Sequence, residues 1–174
     1  MSHQFQGKWI SCAELAALQP RNVFHRQLEP LQLDCSEHRN RHVLFRKSFT
    51  LTKDFSSARI FITADDYYHL YVNGIFVAQG PAPSYHFQYN YNEIDLTPYL
   101  VKGENVIAVH TLYQGLVNRV WQSGDHRHGL LCDTLVDGVH YTANILGRNG
   151  EWNNKAFTDF IQSEGCTALP GAVA

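Results

Sequence analysis

YYHLYVNGIFVAQG, residues 67–80, decides the fold. Asn73-Gly74 stands between two apolar runs, and a two-residue turn of this type needs positive φ at both positions, which Asn and Gly tolerate. The segment therefore reads as a tight β-hairpin. A two-residue turn opposes Val72 to Ile75 and Leu70 to Val77, and leaves Tyr71 and Phe76 on the other face. Both faces are largely apolar, so the hairpin is expected to be covered on both sides.

The same signal continues outward. In 43–51 (VLFRKSFTL), Val43, Phe45, Phe49 and Leu51 share one face with Lys47, while Leu44, Arg46, Ser48 and Thr50 take the other. That alternation is the mark of a strand with one wet face. Residues 58–63 (ARIFIT) predict a second strand. In 104–113 (ENVIAVHTLY), Val106, Ala108 and Leu112 line one face and Ile107, Val109 and Tyr113 the other, as in a central strand. Asp137-Gly138 predicts another tight hairpin within 130–146. The one helical signal is 11–18 (SCAELAAL), where Ser11 and Glu14 have capping-box spacing and Pro20 follows. Many short strands with frequent turns and almost no helix predict an all-β, jelly-roll-like sandwich with a short N-terminal helix. The expected divisions are an irregular segment over 1–42 that packs its helix on the sandwich, the sandwich itself over 43–155, and a tail over 156–174 leading toward a downstream domain.

Bulk properties narrow the function. A chain of 174 residues fits one domain and has enough interior to fold without disulfides. Net charge is -2, with no basic stripe, so neither nucleic acid nor a membrane surface is expected as a partner. No apolar run approaches the ~20 residues of a membrane helix. No charged-then-apolar leader precedes Lys8, and the expectation is a cytoplasmic protein with reduced thiols. Cys12, Cys35, Cys132 and Cys166 form no C-x-x-C pair, which removes the usual zinc and redox readings. No cofactor is predicted; a structural calcium ion is left open but not predicted, because the sequence has no ordered calcium-loop signature.

The stretch from Tyr71 to His110 resembles the N-terminal β-sandwich domain of bacterial α-L-rhamnosidases. The shared features are the Asn73-Gly74 hairpin, the Gly80-Pro81 loop, Asp95 before Leu96-Thr97-Pro98-Tyr99-Leu100, and Gly103-Glu104-Asn105 opening an apolar strand. Lys8-Trp9-Ile10, Phe45 to Phe49 and Asp137-Gly138 before Trp152 extend the resemblance over about residues 8–155. The hairpin and the Gly-Glu-Asn segment are also similar to the galactose-binding-like sandwich of β-galactosidase-type hydrolases. The resemblance implies an accessory, non-catalytic domain of a rhamnosidase-like glycoside hydrolase. Its partners would be other domains of the same polypeptide and a rhamnose-containing glycan. An autonomous sugar-binding module and a purely structural or dimerising sandwich are the alternatives. The family's catalytic carboxylates belong to a helical barrel, so none is carried over to this chain.

The residues themselves agree. Glycosidase chemistry needs two facing carboxyl groups, ~5–5.5 Å apart for retention or ~6.5–9.5 Å for inversion. Asp65 and Asp66 are adjacent and diverge on extended chain; Glu93 and Asp95 share a face at i,i+2 spacing, but the resemblance implies a structural turn at Asp95. Two loops carry the candidate site residues. The first, 80–93, holds Tyr85, Tyr89, Tyr91 and Asn92, whose rings suit sugar stacking, a domain interface or local packing. The second, 114–129, holds Arg119, Trp121, Asp125, His126, Arg127 and His128. Its Trp and Arg suit a partner domain or a polyhydroxylated ligand, and its Asp and His lack the further ligands a metal needs.

Overall fold

The computed structural model describes residues 3–16, 18, 38–85, 88–115, 127–141 and 168–169. Among the described residues, one helical turn, α1 (Ala13–Ala16), precedes nine strands: β1 (Arg41–Leu51), β2 (Ala58–Asp65), β3 (Tyr67–Val72), β4 (Ile75–Gly80), β5 (Asn92–Asp95), β6 (Gly103–Tyr113), β7 (Gly129–Val136), β8 (Val139–His140) and β9 (Ala168–Leu169). They form two antiparallel sheets, ordered β4-β3-β6-β1-β9 and β5-β2-β7-β8. The path passes repeatedly from one sheet to the other, as in a jelly roll. The predicted β-sandwich is therefore what this sequence builds. Two residues of the expected tail, Ala168–Leu169, pair with His42 and Val43 of β1.

Alternation explains the core. Val43, Phe45 and Leu51 of β1, Tyr68, Leu70 and Val72 of β3, and Ile107, Val109 and Tyr113 of β6 are buried on one inner face. Ala58, Ile60, Ile62 and Ala64 of β2, with Leu130, Cys132 and Val136 of β7, meet them from the other sheet. Each large apolar side chain taken from water in this way stabilises the sandwich by about 1.5–3 kcal/mol. Leu96 and Leu100 of the Leu-Thr-Pro-Tyr-Leu turn join the same core, as do Ile10, Cys12 and Leu15 of the N-terminal segment. β6 lies between β1 and β3, the central position expected from its two apolar faces.

Three sequence expectations change in detail. Val72 opposes Ile75 across the Asn73-Gly74 turn, whose φ values are 51° and 82°. A bulge then leaves Val77 unpaired, so Leu70 opposes Ala78 instead of Val77. The hairpin is also not covered on both faces. β4 is a sheet edge that pairs with β3 alone among the described residues, and Ile75 and Phe76 remain 53% and 51% exposed. Finally, the helix does not use the Ser11 cap. The Ser11 hydroxyl lies 2.6 Å from His128 Nδ1, and the turn closes from Ala16 N–H to the Cys12 carbonyl at 2.7 Å. A tertiary partner has outcompeted the local capping bond. The Asp137-Gly138 hairpin forms as predicted, with Val136 opposite Val139.

Candidate functional site

The N-terminal segment runs over the outer face of the four-stranded sheet. Phe61 of β2 and Asp133 of β7 are opposed across the strands and point outward there. Outward position normally means exposure, yet Asp133 is fully buried. Its Oδ1 accepts from Gly7 N–H and its Oδ2 from Gln6 N–H, both at 2.8 Å, and His3 Nε2 lies 2.9 Å away. The His3 ring stacks flat on Phe61 with centroids 3.8 Å apart. These contacts lead the chain to Ile10, which exchanges backbone bonds of 2.9 and 2.8 Å with Leu130 at the edge of β7.

That bridge sets Trp9 at the rim. A side-chain carbon at Gly129 would lie 2.7 Å from Trp9 Cε3, so only glycine lets the indole settle there. Trp9 meets Tyr89 with ring centroids 4.8 Å apart, and the Tyr89 hydroxyl donates to Asp65 Oδ2 at 2.5 Å. With Ala16, Leu18 and Arg127, these residues enclose a cleft of about 260 Å³. Trp9 stays 41% exposed, leaving an aromatic edge to solvent. Arg, Trp and Tyr are the residue types enriched where one protein surface anchors another.

His128 forms the base of this rim. Its Nδ1 is 2.6 Å from Ser11 Oγ and its Nε2 is 3.1 Å from Thr111 Oγ1. Burial lowers its pKa to about 3, so the ring is neutral at physiological pH. The bonds fit a ring that accepts from Ser11 and donates to Thr111, whose hydroxyl passes on to the Val43 carbonyl at 3.4 Å. The imidazole thereby ties the N-terminal segment to β1, β6 and the start of β7.

The sequence-predicted residues separate in space. Tyr89 and His128 line the rim cleft together. Tyr91 faces His3, Phe5 and Phe61, and its hydroxyl accepts from His3 N–H at 2.8 Å. Asn92 points into the sandwich, where its Oδ1 accepts from the Tyr68 hydroxyl at 2.8 Å. Tyr85 is 53% exposed on the loop, its carbonyl bonded to Gln88 N–H. Arg119, Trp121, Asp125 and His126 lie outside the described residues. Arg127, expected beside Trp121 as part of a partner surface, lines the rim, whereas Trp9 and Asp65 belong to it but were not among the expected site residues. Trp9 stands in the sequence as part of the Lys8-Trp9-Ile10 element of the resemblance, which carries no sign of where its ring lies.

Asp65, Asp66, Glu93, Asp95 and Asp137 are engaged by the chain's own groups. Asp65 accepts from Tyr89, and Asp66 Oδ2 accepts from Gln114 N–H at 2.6 Å. Glu93 pairs with Arg59 at 2.6 Å, and Asp95 accepts from Thr97 N–H at 2.9 Å. Asp137 accepts from the backbone N–H groups of Ser56 and Ser57, both at 2.9 Å. Cys12 and Cys132 are free and buried, and burial pushes both thiols up, that of Cys132 to about 12. Among the described residues, no three His, Cys, Asp or Glu side chains are grouped to hold a metal ion, and no helix is long and apolar enough to cross a membrane.

Fold and rim together define an antiparallel β-sandwich domain with an aromatic edge. Residues 53–155 match the profile of the family described as the alpha-L-rhamnosidase N-terminal domain, and the chain belongs to that family. Among solved structures, a GH78 family rhamnosidase of Bacillus sp. GL1 is similar at a TM-score of 0.51 and 33% identity, over 59% of this chain and 11% of that one. An α-L-rhamnosidase of Dictyoglomus thermophilum gives a TM-score of 0.54 at 21% identity, over 76% of this chain and 14% of that one. The chain thus spans only a small part of the length of these enzymes. No curated protein matches it.

Proposed function

We propose that this chain is an accessory, non-catalytic domain of an α-L-rhamnosidase-type hydrolase, and that it braces the catalytic part through the Trp9–Tyr89 rim. The family match over residues 53–155 carries this reading. Two observations support it. The carboxylates named above are held by backbone and side-chain donors, whereas a glycosidic bond needs two free to face each other across the sugar. The rim offers an exposed indole beside Tyr89 and Arg127, the composition of an anchoring contact.

The test is direct. The purified chain, given 4-nitrophenyl α-L-rhamnoside, releases no nitrophenol above the buffer rate. In a hydrolase that carries the domain, Trp9→Ala lowers the thermal midpoint of the catalytic part while leaving that of the isolated domain within a few degrees. Turnover by the chain alone overturns the accessory reading. An unchanged midpoint in the hydrolase overturns the rim as the bracing contact.

A further inference from the structure

A second concavity, of about 460 Å³, lies on the outer face of the five-stranded sheet. Three histidines line it, each from a different strand: His42 of β1, His110 of β6 and His69 of β3. Register brings them together. His110 opposes Leu44 on β1 and His69 on β3, while His42 opposes Leu112, so His42 and His110 are diagonal neighbours on one face. Long side chains in diagonal positions reach one another across two strands. His42 Nδ1 lies 2.8 Å from His110 Nε2, with ring centroids 4.9 Å apart and planes inclined at 33°. The His69 ring meets the His110 ring edge-on with centroids 5.8 Å apart.

Two facing imidazole nitrogens can share a hydrogen, one donating to the other, or turn both lone pairs on one metal ion. With metal–nitrogen bonds of ~2.0 Å, ligands at a right angle stand ~2.8 Å apart and ligands at the tetrahedral angle ~3.3 Å. The His42–His110 spacing of 2.8 Å is thus the edge of a square-planar or tetragonal set. That geometry, with nitrogen ligands, is the one copper(II) and nickel(II) adopt, and copper(II) stands highest in the affinity order of the divalent ions. Among the described residues no three His, Cys, Asp or Glu side chains are grouped to hold a metal, so the protein would supply a chelating pair and water the remaining positions.

The surroundings suit such an ion. No Lys or Arg is among the lining residues, so no fixed positive charge opposes a cation there. No Asp or Glu is among them either, which disfavours calcium and magnesium, the ions that carboxylates hold. His69 opposes Gln79 of β4 beside His110, and an imidazole nitrogen and an amide oxygen are acceptors for metal-bound water. We propose that His42 Nδ1 and His110 Nε2 form a two-imidazole site for a tetragonal divalent metal ion of the copper(II) class, with water in the remaining positions. A turn of each ring about its Cβ–Cγ bond brings both lone pairs onto one point beside the line between the nitrogens. The hydrogen they share passes through solvent to the distal nitrogen of the ring that carried it, so the neutral pair binds the ion without net release of a proton. The site is separate from the Trp9 rim and does not depend on the bracing role.

The experiment adds copper(II) chloride to the full chain, stripped of metal with a chelator, in a buffer that does not bind copper. Amide NMR and electron paramagnetic resonance are recorded. Below one equivalent, the paramagnetic ion broadens the amides around His42 on β1 and His110 on β6, and the resonance spectrum is tetragonal with coupling to two imidazole nitrogens. His42→Ala and His110→Ala, both at half-buried outer positions, each weaken this binding about tenfold or more, because the remaining imidazole has lost its chelating partner. The amide spectrum of each metal-free variant verifies that the sandwich is intact, and His42→Gln or His110→Gln replaces an alanine variant that is not folded. Calcium chloride and magnesium chloride leave the same signals in place. Broadening confined to other histidines such as His3, or affinity at β1 and β6 unchanged in the variants, overturns the site. A spectrum without two coupled nitrogens overturns the chelate. None of these outcomes touches the accessory role, which the turnover and thermal measurements decide.

Discussion

The side-chain amide of Asn73 donates to Oδ1 of Asn105 at 3.0 Å, joining the hairpin turn to the start of β6. Asn73 Nδ2 also donates to the Tyr99 carbonyl, and its Oδ1 accepts from Val106 N–H, both at 2.8 Å. Asn105 is fully buried, accepts from Val101 N–H at 2.9 Å, and donates to the Val101 and Gly103 carbonyls at 2.7 and 3.0 Å. Two asparagines from separate sequence motifs therefore satisfy one another and the backbone of the turn between them. Asn105→Ala leaves several buried groups without partners and is expected to lower stability by about 2–4 kcal/mol. Urea unfolding checks the loss. A double-mutant cycle with Asn73→Ala should give a coupling of about 0.5–3 kcal/mol, as for other contacting pairs.

Asp133 makes a different prediction. Its buried carboxylate holds two amide donors of the N-terminal segment. Asp133→Ala should cost about 1–3 kcal/mol and abolish hydrogen-exchange protection at Gln6 and Gly7. Asp133→Asn keeps one acceptor oxygen, so protection at one of those amides should survive. Equal exchange at both amides in the wild type and the alanine variant would show that the carboxylate does not hold the segment.

His128 governs stability in mildly acid solution. Its folded pKa, lowered by burial to about 3, lies below its ordinary value of 6.5. Between these values the unfolded chain binds a proton that the folded chain refuses, so stability falls as pH is lowered from 6.5 toward 3. One such group costs about 1.4 kcal/mol per pH unit. His110 adds to the effect in the same direction, through burial and then the nearby His42 and His69. The thermal midpoint should therefore drop measurably between pH 7 and pH 5, and His128→Asn should flatten that slope even though it is less stable at pH 7.

Asp137 and Asp95 act lower on the pH scale. The Ser56 backbone N–H, with Ser56 and Ser57 hydroxyls and the Ser57 N–H, holds the Asp137 carboxyl below its ordinary 3.8, and the Thr97 hydroxyl and N–H do the same for Asp95. The unfolded chain then takes up protons first as pH falls, so the stability these groups contribute is complete above pH 3.8 and is lost as pH drops through the folded values. Urea midpoints measured from pH 5 down to pH 2.5 should show this acid limb, and Asp137→Asn should shorten it. An unchanged limb would mean that both carboxylates titrate alike in the folded and unfolded chains.

Strand positions were legible because period-two burial leaves a direct trace: Val43, Phe45 and Leu51 on β1, or Ile107 and Val109 on β6, read as they fold. The two tight turns were legible because their backbone requires Asn-Gly or Asp-Gly. The bulge at Val77 left no trace, since an extra apolar residue in an apolar run does not disturb the pattern. Loop membership gave no indication of direction. Tyr89 and Tyr91 are two residues apart, yet one reaches the Trp9 rim and the other Phe61, because the neighbours that decide come from the far N-terminus. Asp133 and His128 read from sequence as polar strand and loop residues, and their burial depends on partners remote in sequence: Gln6 and Gly7 over Asp133, and Ser11, Phe45, Thr111 and Tyr113 around His128. The contacts of His110 with His42 and His69 were illegible for the same reason, since the three meet only through the pairing of β1, β3 and β6.

The eleven-rung pairing of β1 with β6, from Arg41 opposite Tyr113 to Leu51 opposite Gly103, joins stretches of chain that leave the ribosome far apart in time. Until β6 emerges, the backbone edge of β1 that it will occupy is open to any other extended chain nearby. Vulnerability during synthesis is therefore concentrated in the interval between Leu51 and Gly103. A stall in translation there would expose nascent chains to mispairing with one another, while a stall after Tyr113 would find the central pair already able to close.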